Sequence, residues 1–138
     1  MKKLTLALAV AGVTLVGCGK VEAEMSDSQN LAGKWQVTHL NGEVIVAGGE
    51  IVRPSLLITE RMEVSGNAGC NNFIGRAEYE AGSFRIPHMG MTMMFCAMPA
   101  MDVESTFAGA MKSWSVVSFE NETLYLDGPN GQVVLERF

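Results

Sequence analysis

Basic side chains are scarce in this sequence: 10 lysines and arginines stand against 15 aspartates and glutamates, a formal net charge of −5. Nucleic acid is excluded as a partner on that balance, because displacing counterions from a phosphate backbone takes a basic face. No run of like charge forms an interaction tail. The one long apolar stretch, Leu4–Val16, falls short of the roughly 20 residues a helix needs to cross a bilayer. The signatures H-E-x-x-H and G-x-S-x-G are missing, as are paired carboxylates along a helix, so the chain is expected not to be an enzyme and to need no cofactor. Internal repeats and low-complexity tracts are absent too, which leaves 138 residues for one small domain.

What is present begins with an address. Lys2 and Lys3 followed by Leu4–Val16 read as a secretory signal over residues 1–17. Leu15-Val16-Gly17-Cys18 resembles the lipobox of bacterial lipoproteins, which implies that Cys18 becomes the mature N-terminus and carries acyl chains. Such chains anchor firmly, each buried methylene contributing about 0.8 kcal/mol. Gly19 stands where an aspartate would retain the protein in the inner membrane. The expectation is an outer-membrane lipoprotein whose domain faces the periplasm, acting as a monomer, with the membrane as one partner and an envelope protein as a possible second. Without Lys2 and Lys3 the charge falls to about −7, eight basic residues against 15 acidic ones.

Cysteine usage follows from that address. With Cys18 lipidated, Cys70 and Cys96 remain, and in an oxidising compartment they are expected to pair. A loop of that span contributes on the order of 3 kcal/mol through the unfolded state. Two buried free thiols are the alternative, since cysteine is a normal small core residue.

From Cys18 to Asn30 the chain is polar and acidic, a tether to a domain spanning residues 31–138. Lys34–Leu40 alternates with Trp35, Val37 and His39 on one face, and Asn41-Gly42 turns it into a return strand over Glu43–Val46. Further strands are read over Ser55–Thr59, Arg61–Ser65, Phe73–Tyr79, Ser83–Ile86, Val116–Glu120, Thr123–Leu126 and Gln132–Phe138. Between Pro99 and Trp114 the residues Val103, Phe107, Ala110, Met111 and Trp114 recur at three- and four-residue spacing. That spacing predicts one amphipathic helix covering an end or face of the sheet, with Asp102 near its start. The fold class is mainly β, a small antiparallel barrel or sandwich with one packed α-helix.

The sequence resembles the META domain family over essentially all of Leu31–Phe138. The resemblance rests on Gly33-Lys34-Trp35, Leu40-Asn41-Gly42, Val64-Ser65-Gly66, Gly69-Cys70-Asn71-Asn72-Phe73, Met91-Thr92-Met93-Met94-Phe95-Cys96, and then Glu104 and Phe107. Within the family it is similar to the HslJ-type heat-shock lipoproteins. The resemblance implies a small β-barrel of lipocalin-like topology with a packed helix, and an envelope protein linked to stress response and drug tolerance. It brings no enzymatic activity. Where the family often carries a basic residue, this chain has Met93.

Four sites are candidates for chemistry. Gly66, Gly69, Asn71 and Asn72 form a turn whose backbone amides could cradle an anion; the simpler reading is that glycine permits positive φ and asparagine bonds its own backbone. His88, Met89, Met91, Met93, Met94 and Met98 offer soft donors that suit Cu(I), against a packing role for flexible methionine. In an extended segment Met91 and Met93 alternate in direction with Met94 and Cys96, leaving few donors to converge. Cys70 with His88 would make a nucleophile and base only if they met and found electropositive help. The barrel mouth could hold a small apolar ligand or a peptide. Trp35, His39, Phe73, Phe107 and Trp114 are read as core or half-buried packing.

Overall fold

The computed structural model describes residues 27–138; Cys18, the signal segment and most of the expected tether lie outside the described residues. The first element is a short helix, α1 (Asp27–Leu31), which occupies the end of the segment expected to be tether. It is fastened into the domain. Leu31 is fully buried and its carbonyl accepts the Trp35 indole N–H at 2.8 Å. Arg137 donates to the carbonyls of Asn30 and Ala32 at 2.6 and 3.0 Å, its guanidinium lying 4.3 Å from the centre of the Trp35 ring. Tyr79 donates its hydroxyl to Asp27 at 3.2 Å. Burial, and then the Asp27 carboxylate, raise the Tyr79 phenol above its ordinary value. The contact is therefore kept at neutral pH and is lost only as the phenol ionises in strongly alkaline solution.

The strands follow in chain order: β1 (Gly33–Leu40), β2 (Glu43–Val44), β3 (Ser55–Ile58), β4 (Glu63–Asn67), β5 (Asn72–Arg76), β6 (Glu78–Glu80), β7 (Ser83–Arg85) and β8 (Met89–Met91). Helix α2 (Met98–Lys112) comes next, then β9 (Ser115–Glu120), β10 (Thr123–Gly128) and β11 (Gly131–Arg137). All pairings are antiparallel, in the order β6-β7-β9-β10-β11-β1-β3-β4-β5-β8, with β2 beside β1. The two ends of that order are halves of one hairpin. A single residue, Ala77, separates β5 from β6, and Ile86-Pro87-His88 separates β7 from β8. β5 pairs with β4 and β8, while β7 pairs with β6 and β9. The sheet curls round and meets itself through this bent hairpin, which gives the expected small antiparallel barrel.

The bend corrects the reading of Phe73–Tyr79 as one strand. Ala77 turns its N–H to the Met62 carbonyl at 2.8 Å, and Ile86 turns its own to Met111 at 2.7 Å. Pro87 has no N–H to give the ladder, so pairing is interrupted there. A second correction concerns His39. The β1–β11 register shifts between Val37 and His39, so Leu40 turns inward, 5 % exposed, and His39 stays half-buried with Nδ1 3.0 Å from Thr38 Oγ1. The bulge reverses the alternation that the bare sequence suggests.

The interior is filled. Trp35, Phe73, Phe84, Leu56, Ile58, Leu124, Leu126 and Leu135 are fully buried, and α2 adds Phe107 and Met111, the Phe107 ring 5.8 Å from Phe73. Pro99 suits the first turn of α2, where its missing N–H costs nothing. Asp102 lies beyond that first turn, so it does not cap the dipole as expected. Trp114 falls just past the helix, stacked 4.4 Å from the Arg85 guanidinium.

Gly66 has no positive φ. A Cβ there would overlap the Ser55 carbonyl of the paired strand. Gly66→Ala is therefore expected to lower stability by about 2 kcal/mol or more, whereas Gly109→Ala on α2, where a Cβ meets nothing within 4 Å, is expected to raise it by about 0.5–1 kcal/mol. Thermal or denaturant unfolding of the two variants, which should move in opposite directions, checks both.

Candidate functional site

The site lies at the pole of the barrel where the β4–β5 loop, the segment after β8 and the start of α2 meet. Its base is the loop Ala68–Asn71. Gly69 adopts φ of +122°, and a Cβ on it would press on Val103, Glu104 and Ala100 of α2 at 3.0–3.3 Å; only glycine allows loop and helix to approach this closely. Asn67 Oδ1 accepts the Gly69 N–H at 2.8 Å, an Asx turn.

Beyond Gly69 two successive amides point the same way. Cys70 and Asn71 donate their N–H groups to Glu104 Oε2 at 3.3 and 2.5 Å, and Asn71 Nδ2 donates to Glu104 Oε1 at 3.0 Å. The loop does cradle an anion, and the anion is the chain's own carboxylate. Glu104 is 9 % exposed and Asn71 3 % exposed, so neither turns to water for other partners. No cation lies within ion-pair reach of Glu104 among the described residues.

Asn71 also holds the opposite segment. Its Oδ1 accepts from the Met94 N–H at 2.6 Å and the Thr92 hydroxyl at 2.9 Å, while its Nδ2 donates to the Met94 carbonyl at 3.2 Å. The Thr92 N–H still pairs with the Asn72 carbonyl at 3.0 Å, so Asn71's side chain takes over where the β5–β8 backbone ladder ends. A disulfide then joins Cys70 to Cys96, with Cα atoms 6.0 Å apart. One residue on, the Ala97 N–H donates to Glu50 at 3.1 Å. Along this segment and at the first residue of α2 the chain pushes apolar side chains outward: Met93 is 94 % exposed, Met94 51 %, Phe95 99 % and Met98 69 %.

The four candidate sites fare differently. Of the turn residues, Gly69 has the expected positive φ, Gly66 serves close strand approach, Asn72 accepts from the Asn67 side chain and donates its backbone N–H to the Thr92 hydroxyl, and Asn71 bridges Glu104 to Met94. The soft-donor set is divided: Met89 and Met91 pack half-buried against the core, while His88, Met93, Met94 and Met98 are exposed. The described residues hold no group of three or more His, Cys, Asp or Glu that could bind a metal. Cys70 has its sulfur bonded to Cys96, which removes the thiol that a Cys70–His88 pair would use. α2 packs its Phe107 and Met111 into the core cluster, so these side chains take up interior space that a ligand would need.

Sequence reasoning missed Glu104 as a site residue; it entered only through the family motif. One signal was available, an acid between Val103 and Phe107 on the inward stripe of a helix, where a carboxylate survives only with donors waiting for it.

The META domain family model matches residues 29–137. The chain belongs to the META domain family. No curated protein matches at a significant level. One protein solved by NMR is similar to this META domain at 21 % identity, covering 82 % of this chain and 95 % of its own, with a TM-score of 0.67. A second, an NMR structure of a protein from Burkholderia xenovorans, has 18 % identity over 100 % of this chain and 99 % of its own, with a TM-score of 0.66. At such identities the likeness establishes the META fold.

Glu104→Ala strips the acceptor from two buried backbone amides and is expected to destabilise the domain by about 3 kcal/mol. Glu104→Gln keeps one oxygen and should lose less. Replacing both Cys70 and Cys96 by alanine is expected to cost about 3 kcal/mol, the scale set by a closed loop of this length. Equilibrium unfolding in urea measures all three.

Proposed function

We propose that this META domain is the working part of a lipid-anchored envelope protein that acts by binding and not by catalysis, and that it binds through the Met93–Met98 tip. The observation that carries this reading is the exposure of Phe95, 99 %, in a segment fastened on both sides by Asn71 and by the Cys70–Cys96 bridge. Exposed apolar side chains at a free loop end would ordinarily fold back. Here they are held out, and a rigid apolar surface is what a binding anchor needs. The filled interior favours the outside of the barrel over an internal carrier cavity.

Lipid attachment at Cys18, an outer-membrane location facing the periplasm and a monomeric state belong to the same proposal. They are supported by the lipobox and by a disulfide of the kind that persists in oxidising compartments. A role in stress response or drug tolerance is carried over from the HslJ-type relatives that the sequence resembles. No separate observation favours a soft-metal site, since the methionines are split between core and solvent.

A photo-crosslinking amino acid at position 95 in living cells tests the tip. The expected result is one or a few discrete adducts in the envelope fraction, absent when the probe sits at exposed Val116 on β9 instead. Equal labelling from both positions would overturn the reading.

A further inference from the structure

The tip lies in a net anionic setting. The segments that build this pole, residues 43–52 and 86–111, contain no lysine and no arginine. They carry Glu43, Glu50 and Asp102 at the surface and Glu104 beneath. Glu50 reaches the Ala97 N–H, between Phe95 and Met98. Asp102 stands one helical turn from Met98, so the two side chains are surface neighbours. A hollow of about 270 Å³ lined by Glu43, Ile45, Asp102, Val103 and Thr106 continues the surface away from the tip. Of the neighbouring cations, Arg53 keeps its charge while donating its Nε to the Ile45 carbonyl at 2.8 Å, Arg85 is paired with Glu78 and Lys112 is at the far end of α2, so three surface carboxylates face one guanidinium. His88, the remaining titratable group of these segments, is exposed on the β8 side.

An apolar projection beside a net acidic rim selects its occupant. An acidic or purely apolar partner would gain the contact with Phe95 and Met93 but would meet like charge or leave the carboxylates unanswered. A partner that flanks an apolar face with lysine or arginine satisfies both, and methionine adapts its shape to such faces. A lipid surface fits less well. The described chain enters the barrel at the opposite pole, where Gly33 pairs with Ile58, while the tip sits beyond the Asn67–Asn72 pair, so the tip is at the end of the domain remote from its N-terminal segment.

We infer that the tip docks a cationic amphipathic peptide segment, its apolar face on Met93, Phe95 and Met98 and its basic residues against Glu43, Glu50 and Asp102. This rests on the tip being the binding surface. It adds the chemical class of the partner.

The test uses the chain purified as cells process it, held in phosphatidylcholine nanodiscs, with empty nanodiscs as background. The probes are fluorescently labelled helical peptides of one pattern, leucine with lysine or leucine with glutamate, read by anisotropy. Saturable binding of the leucine–lysine peptide alone is expected. Phe95→Ser should weaken it about tenfold, as loss of a central anchor does. The combined Glu43→Gln, Glu50→Gln and Asp102→Asn variant should weaken it about fivefold and flatten its salt dependence. Equal binding of the two peptides, binding by empty nanodiscs alone, or indifference to the rim variant would overturn the inference. If the in-cell cross-link at position 95 persists while peptide charge makes no difference, only the partner class falls; if the cross-link is also unspecific, the tip reading falls with it.

Discussion

The structure turns on one buried carboxylate. Glu104 places two oxygens among the N–H groups of Cys70 and Asn71 and the amide of Asn71, and all its donors are neutral. Withdrawing a carboxylate from water is costly, and only a complete set of charge-assisted hydrogen bonds offsets that cost. The set exists in one arrangement of loop and helix. It therefore fixes the rotation of α2 about its axis, which in turn decides that Phe107 and Met111 face the core and that Met98 and Asp102 face out.

From this point order spreads along the chain. Asn71, held by Glu104, presents its own oxygen and nitrogen to Met94, and Cys70, held by the same oxygen, presents its sulfur to Cys96. The barrel contributes a filled and unyielding base. Its hydrophobic core is filled by its own side chains, so the apolar residues of the tip are left outside it. The loops and exposed segment of this barrel gather at the end that the helix crosses, and connecting segments of this kind run over the surface of a fold.

Much of this was legible in the residues. Alternation and turn dipeptides located most strands, and three- and four-residue spacing located α2, because burial on one face is the same force that writes the pattern. Cysteine arithmetic anticipated the bridge. The break at Ala77, the His39 bulge and strand β8 were not legible, for each depends on a partner distant in sequence: the Met62 carbonyl, the β11 register and the outer edge of β5. Periodicity reports a residue's own environment and is silent about who donates to whom. The role of Glu104 was hidden for the same reason, its donors lying 33 and 34 positions away.

One feature of the hairpin bears on how the domain withstands pulling. β8 is a short outer strand of the β5–β8 ladder, and the tip is its direct continuation. A tug on Phe95 applied along the backbone would unzip β8 rung by rung, beginning with its weakest hydrogen bond. The Cys96–Cys70 link diverts that load to the turn between β4 and β5, where it is shared by strands gripped on both sides. The bridge thus works as a mechanical shunt, so that a load on the rim is carried without peeling the wall beneath it.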